Sequence, residues 1–401
     1  MTTTTYIPYG AYWCSPFVKW QGSLAHLHSM EVAAHFGKQA LQSRNLSIEE
    51  FDYGVLGMTI PQKSCFYGLP RLTGMMGASQ VGGPTISQAC ATSARVLAAA
   101  SQEIDSKNAN CVLTITTDRI SNGPHIYYPN PLGPGGTGET EDWVMSNFNR
   151  DPFALCDMTQ TAENCASKWK VSKEEQHELV LRRYQQYQQA CTQKDGRSFQ
   201  NRYMLLPLEV PDQRYRKTLH VLEGDEGITE STAEGLAGLR PVKENGTVTY
   251  GSQTHPADGS AGMVVTTKDR ARDLSADTSI EIEIVSFGLA RVELAYMPSA
   301  PVPASKQALE LAGISIKDVV AIKSHNPFAV NDIIFAKEMG IDVMEMNNYG
   351  CSLIWGHPQG PTGMRAIMEL IEELVLKGGG YGLFQGCAAG DTAMAVVIKV
   401  E

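Results

Sequence analysis

Two short segments of this chain match two others at one constant offset. Lys38-Gln39-Ala40-Leu41 returns as Lys306-Gln307-Ala308-Leu309, and Leu46-Ser47-Ile48-Glu49-Glu50 returns as Ile314-Ser315-Ile316-Lys317-Asp318, each pair 268 positions apart. In both places a helix-like stretch ends, a serine opens a capped turn, and a short apolar strand follows (Phe51–Met58 and Val319–Lys323). Four or five matching residues arise by chance, but a shared offset does not readily do so. Further along, Pro84-Thr85-Ile86-Ser87-Gln88-Ala89-Cys90 leads into an alanine-rich helix over 91–104, and Ser352-Leu353-Ile354-Trp355-Gly356-His357 leads into a helix over about 362–376. Strands follow at Cys111–Thr117 and Tyr381–Gln385. Cys90 and His357 therefore sit at equivalent strand-to-helix turns, 267 positions apart. Alternating strands and helices predict an α/β architecture built from two similar halves.

Residues from about 122 to 248 have no counterpart in the second half. They hold a Pro/Gly loop (Asn130–Gly136), an amphipathic helix near Lys173–Gln189 and a charged stretch around Asp212–Lys217. Long insertions on a rigid scaffold often carry ligand contacts. The expected organisation is an N-terminal half (1–121), a loop domain (122–248), a return segment (249–272) and a C-terminal half (273–401).

Composition narrows the function classes. A chain of 401 residues is long enough for two or three packed subdomains, and 43% hydrophobic with 19% charged residues is ordinary for a folded protein. The formal charge of −10, with no lysine- or arginine-rich run, argues against nucleic acid as a partner. No run of about 18 apolar residues predicts a membrane span, and the start Met1–Pro8 lacks the pattern of a secretory signal. Nine scattered cysteines without a CxxC pair fit reduced thiols in the cytoplasm.

Four side chains stand out for chemistry. Cys90, in Gln88-Ala89-Cys90-Ala91-Thr92-Ser93, opens a helix among small residues. The positive end of the helix dipole is expected to lower its pKa and favour thiolate, although such a turn also suits an inert buried cysteine. His357, fixed between glycine and proline in Gly356-His357-Pro358, is placed to take a proton from a thiol. His325, in Ser324-His325-Asn326-Pro327-Phe328, lies where a strand ends and sites of α/β sheets gather. Cys387, in the small-residue turn Gln385-Gly386-Cys387-Ala388-Ala389-Gly390, is either an acid/base or a core thiol. No metal site is expected.

Together these turns resemble the thiolase superfamily. The Cys90 turn resembles its nucleophile motif and Gly356-His357-Pro358 its Gly-His-Pro motif. Thr161-Ala162-Glu163-Asn164 with Val171–Gln176 looks like the loop-domain signature, and Asn245–Thr249 with Ala257-Asp258-Gly259 like the return into the first half. The resemblance runs in order from about residue 8 to residue 400. It implies two βαβαβαββ halves in a five-layer α/β/α/β/α core, usually a homodimer or dimer of dimers. It also implies ping-pong transfer between acyl-CoA substrates, with coenzyme A as co-substrate and no permanently bound cofactor. His357 would activate Cys90, which takes the acyl group. Backbone N–H groups of Cys90 and of the Cys387–Ala389 turn (Ala388 and Ala389 included) would form one oxyanion site, and His357 and His325 the other. Asn326, Phe328, Thr254 and Met158 would line the substrate.

Several positions depart from the commoner thiolase pattern. Where most thiolases carry Asn-Glu-Ala-Phe, this chain has His325-Asn326-Pro327-Phe328, which is closer to the His-Asp-Cys-Phe motif of sterol-carrier-protein-type thiolases. Pro327 then stands in place of that motif's acid/base cysteine. An ungapped alignment puts Gln385 at the other acid/base position, and a two-residue shift puts Cys387 there. Cys387 is preferred because glutamine does not titrate. In the expected coenzyme A grip, Asp157 replaces a histidine, Ile228 an arginine and Thr254 a serine. These losses suggest help from a partner such as the small zinc-ribbon subunit of some thiolases. Tyr127, Tyr128, Trp143, Phe148 and Phe153 could wall a bulky or aromatic acyl pocket. The competing readings are a condensing synthase of the same fold, of ketoacyl synthase or hydroxymethylglutaryl-CoA synthase type, and a non-catalytic subunit.

Overall fold

A computed structural model describes residues 1–194 and 196–401. The first half runs β1 (Thr2–Tyr6), β2 (Tyr12–Cys14), β3 (Val18–Lys19), α1 (Ser29–Ser43), β4 (Tyr53–Gly57), α2 (Leu69–Met76), β5 (Thr85–Ile86), α3 (Thr92–Asp105) and β6 (Cys111–Arg119). An excursion follows, with the hairpin β7 (His125–Pro129)–β8 (Gly138–Asp142), helices α4 (Met145–Asn149), α5 (Met158–Trp169) and α6 (Lys173–Cys191), the pair β9 (Leu208–Pro211)–β10 (Thr218–Leu222) and α7 (Ala233–Ala237). The chain returns through β11 (Ala257–Thr266) and α8 (Lys268–Leu274). The second half is β12 (Ile282–Arg291), α9 (Pro301–Ala312), β13 (Val319–His325), α10 (Ala329–Met339), α11 (Ser352–Trp355), α12 (Gly360–Leu376), β14 (Gly380–Ala388) and β15 (Thr392–Val400).

The repeated segments occupy equivalent places. Both lysine-led tetrapeptides lie in the helices that precede a sheet strand, α1 and α9. Both serines cap a short 3₁₀ turn, Ile48–Glu50 and Ile316–Asp318, ahead of β4 and β13. One sheet joins the halves, in the order β13-β14-β15-β12-β1-β11-β6-β4-β5, with β12 and β1 antiparallel at the seam. Helices α3 and α12 pack together between the two half-sheets, and α1 with α2 and α9 with α10 cover the outer faces. This is the expected five-layer α/β core. The halves differ at one step, for no strand of the second half matches β5. There Asn347, Tyr349 and Gly350 all have positive φ, which an extended strand does not allow, and the chain turns into α11 instead.

Helix α12 explains how two halves can share one core. Every residue from Gly360 to Leu374 is buried, as expected of a helix surrounded on all sides. Its charges are paired: Arg365 grips Asp225 from the excursion, Lys323 lies near Glu369 and Glu373, and Tyr12 and Arg202 donate to Glu372. Alanine-rich α3 favours the helix and lets it approach α12 closely, where the Ser93 hydroxyl donates to the Gly360 carbonyl. The turns that open these two helices, carrying Cys90 and His357, are thereby fixed against each other.

Candidate active site

Cys90 and His357 meet although 267 residues separate them. His357 Nε2 lies 3.1 Å from Cys90 Sγ, and both residues are buried. Ala89, just before the cysteine, has φ +43, and Gly356, just before the histidine, has φ +90. A Cβ at position 356 would come within 2.8 Å of His255 Nε2, so only glycine fits the turn that projects His357. His357 Nδ1 is held by Thr362 Oγ1 at 2.7 Å, which leaves Nε2 for the thiol. Asp118, at the end of β6, accepts from the backbone N–H groups of Thr59, Ile60 and Gly360 and so pins the start of α12 to the first half.

The resting pair is neutral. Burial pushes the Cys90 thiol up to about 12, against the lowering effect of the Ala389 and Cys90 backbone N–H groups. This corrects the expectation that the helix terminus would favour thiolate: α3 starts at Thr92 with Ala91 as its cap, and desolvation of the sulfur outweighs the dipole. Burial, and then His325, depress His357 well below the ordinary histidine value, so it is an unprotonated acceptor. The backbone N–H groups of Ala389 and Cys90 are close enough to favour negative charge on the sulfur.

His325 joins this pair. Its ring stacks on that of His357, and a ring nitrogen of each lies within 4.8 Å of Cys90 Sγ and of one another. Ser352 Oγ meets His325 Nδ1 at 3.1 Å, while Nε2 is buried without a partner, and burial lowers the pKa to about 3. Cys387 is fully buried, its sulfur accepting from Asn331 Nδ2 at 3.2 Å. Burial drives its thiol well up, and a negative charge on Cys90 would raise it further. Gln385 is equally buried, paired across the sheet with Ser324 three positions before the end of β14.

A cavity of about 450 Å³ opens above the thiol, lined by Cys90, His357, Gln359 and Ala389 and, as expected, by Met158, Thr254 and Phe328. Asp157 and Lys243 form an ion pair in its wall. A second cavity of about 710 Å³ continues from it past Tyr250, Gln253 and Thr254. A further cavity of about 790 Å³, beside Arg44 and Arg202, touches none of Cys90, His357, His325 and Cys387.

Several expectations need correction. Asn326 does not line the substrate space: its amide bonds Asp332, Cys351, Ser352 and the Leu353 N–H, so it braces the His325 turn. Ala389 borders the cavity, and the Ala388 side chain packs into the core, which leaves the expected role of its backbone N–H untouched. Of the five aromatic residues, only Phe148 lines the cavity. Tyr127, Tyr128 and Phe153 are exposed, and the Trp143 indole N–H donates to the Thr59 carbonyl. The β7–β8 hairpin carries the tyrosines outward. Ile228 packs with the apolar cluster around α5, α6 and α10. Sequence reasoning missed Gln359 and Lys243. The first stands two residues after His357 and could have been marked by proximity; nothing near Lys243 singles it out.

A buried thiol and imidazole under two N–H donors, beside a cavity on a duplicated α/β core, define an acyl-transferring enzyme that works through a cysteine. Residues 13–269 match the family model for the thiolase N-terminal domain and residues 278–400 that for the thiolase C-terminal domain; the chain belongs to the thiolase family. It is 28% identical to the mitochondrial 3-ketoacyl-CoA thiolase of Homo sapiens over 96% of each chain. It is also 28% identical to an acetyl-CoA acetyltransferase of Paracoccus denitrificans, covering 96% of this chain and 97% of that one. The crystal structure of human mitochondrial 3-ketoacyl-CoA thiolase superposes with a TM-score of 0.89 at 26% identity, over 100% of this chain and 99% of the other. The same enzyme in complex with CoA superposes with a TM-score of 0.87 at 27% identity, over 100% of this chain and 98% of the other. Among the described residues no helix is long and apolar enough to cross a membrane.

Proposed function

We propose that this thiolase-family acyltransferase cleaves a 3-oxoacyl-CoA with CoA, or runs the reverse condensation, through an acyl group carried on Cys90. The observation that carries the reading is the 3.1 Å contact between Cys90 Sγ and His357 Nε2 at the cavity floor. His357 takes the thiol proton as sulfur attacks the thioester or β-carbonyl carbon, and the Cys90 and Ala389 N–H groups hold the oxyanion. In cleavage, the acetyl-CoA carbanion leaves and is protonated, and CoA sulfur then takes the acyl group from Cys90. Cys387 is the group we assign to that α-carbon proton. His325, with His357, faces the second carbonyl. CoA is the co-substrate, its thiol arm passing Met158, Thr254 and Phe328, with Lys243 close to its path.

Three finer points belong to the same reading. The His325 motif supports a reading of the chain as nearer sterol-carrier-protein-type thiolases. The apolar Ile228 and the paired Asp157 leave fewer side chains for CoA, which supports a zinc-ribbon partner on a homodimer or dimer of dimers. Nine free cysteines support a reducing, cytoplasmic setting.

The test is intact-mass spectrometry of wild type and Cys90→Ala after brief exposure to acetoacetyl-CoA. An acetyl adduct on wild type alone is expected, and no adduct on the folded wild type would refute the assignment. A second reading, a condensing synthase of the same fold, is favoured by one feature: two stacked histidines facing one cysteine. Decarboxylation of a malonyl thioester by the pure protein would select it.

A further inference from the structure

Position 359 is occupied by a side chain that its backbone does not favour. Gln359 has φ +57 and ψ −100, a region where a side chain is strained and glycine is at ease. Glutamine is nevertheless present, and it is buried. A strained backbone of this kind persists where the surroundings hold it and often marks a working group. Here the next residue is held at both of its backbone groups: Asp118 accepts the Gly360 N–H at 2.8 Å, and the Ser93 hydroxyl donates to the Gly360 carbonyl.

The strained residue is aimed at the nucleophile. Gln359 Oε1 lies 3.2 Å from Cys90 Sγ and His357 Nε2 lies 3.1 Å from the same sulfur, so the single thiol proton has two acceptors between which it can turn. The amide also borders the cavity that holds the substrate. A carboxamide has an acceptor and a donor on one group. The oxygen suits a thiol; a thiolate would repel it and would be met by the NH₂ after half a turn of the amide.

We propose that Gln359 is a further catalytic residue, whose amide holds the Cys90 sulfur in both of its states, accepting from the thiol and donating to the thiolate. The inference rests on the reading of Cys90 as nucleophile. In the step it serves, the S–H bond breaks and the proton goes to His357 Nε2. The freed electron pair on sulfur attacks the carbonyl carbon, and the amide rotates to stabilise that pair until it is used. The other groups facing the sulfur are His325, Cys387 and the Asp118 carboxylate, whose charge opposes thiolate formation. A neutral donor beside a buried thiolate is therefore matched to what the site lacks.

The test is the rate of Cys90 alkylation by iodoacetamide at fixed pH, read by peptide mass spectrometry so that the other eight cysteines do not interfere. It compares wild type, Gln359→Leu, Gln359→Met and Gln359→Glu, with melting temperatures measured on each. Loss of one hydrogen bond to a charged group slows Gln359→Leu and Gln359→Met by about 10- to 100-fold. Gln359→Glu, of nearly the same size, is slower still because it sets a carboxylate against the thiolate. That order, glutamine over leucine and methionine over glutamate, is not what a packing role gives. Folded variants that alkylate within about twofold of wild type, or in which glutamate matches leucine, would overturn the proposal. Should the glutamate variant fail to fold, the wild-type-to-methionine ratio decides it by the same limits. Acylation of wild type by acetoacetyl-CoA is measured separately, so failure of the thiolase reading and failure of this inference show as different results.

Discussion

His325 and His357 stack face to face, with ring centroids 4.0 Å and planes 22° apart, the first ending β13 and the second in the turn after α11. Both rings are deeply buried and unprotonated, so each offers a lone pair rather than a charge. The contact bears on catalysis because His325 is one of the two causes that depress His357.

His357→Asn removes the group proposed to take the Cys90 proton. A positioned general base contributes about 10²–10⁴ in rate, so Cys90 acylation by acetoacetyl-CoA should fall by that factor. Rapid-quench mass spectrometry measures it.

His325→Phe keeps an aromatic ring in the stack and removes its titration. His357 must be neutral to accept a proton, so activity is lost as pH falls through its pKa. Burial and His325 both lower that pKa, and removing the second raises it. The acid limb of the kcat/KM profile should therefore move to higher pH in the variant; a limb that stays in place would argue against the coupling.

The Cys90 thiol should alkylate slowly at neutral pH. With burial holding it up at about 12, the rate with iodoacetamide should climb about tenfold for each pH unit between 7 and 10 without levelling off. A plateau near pH 8 would mean the sulfur is better solvated than the fold implies.

Asp332→Ala should destabilise the protein by about 3–5 kcal/mol, because it strands a buried arginine. Asp332 accepts from Arg183, Ser324, Asn326 and Asn347, all buried beneath the His325 turn. Urea unfolding gives the stability, and activity at low denaturant should fall with it because the turn loses its brace.

Lys243→Ala should raise the KM for CoA about tenfold while leaving the melting temperature nearly unchanged. The Lys243–Asp157 pair is partly exposed, and such pairs add only about 0–1 kcal/mol to stability. An unchanged KM would remove Lys243 from the CoA path.

By itself, the sequence determined the duplication. The fixed offset between Lys38–Leu41 and Lys306–Leu309, the serine-capped turns and the strand-to-helix steps at Cys90 and His357 are all local patterns, and local patterns of hydrophobicity and capping survive in one dimension. It also marked Cys90, His325, His357 and Cys387, because glycine, proline and small residues around a reactive side chain show in the chain itself. Tertiary structure alone decided what each group does. Whether Cys90 is thiolate or thiol depends on how much water reaches the sulfur, a sum over neighbours from both halves, and burial reversed the reading that a helix terminus suggested. Whether Asn326 meets substrate or braces a turn depends on Asp332 and Ser352, which no spacing rule connects to it. The aromatic residues of the excursion looked like a pocket wall because they are close in sequence, yet a hairpin carries two of them into solvent and leaves Phe148 at the cavity. Gln359 was silent for the same reason: its partner, Cys90, lies in the other half, and only the packing of α3 against α12 brings the two together.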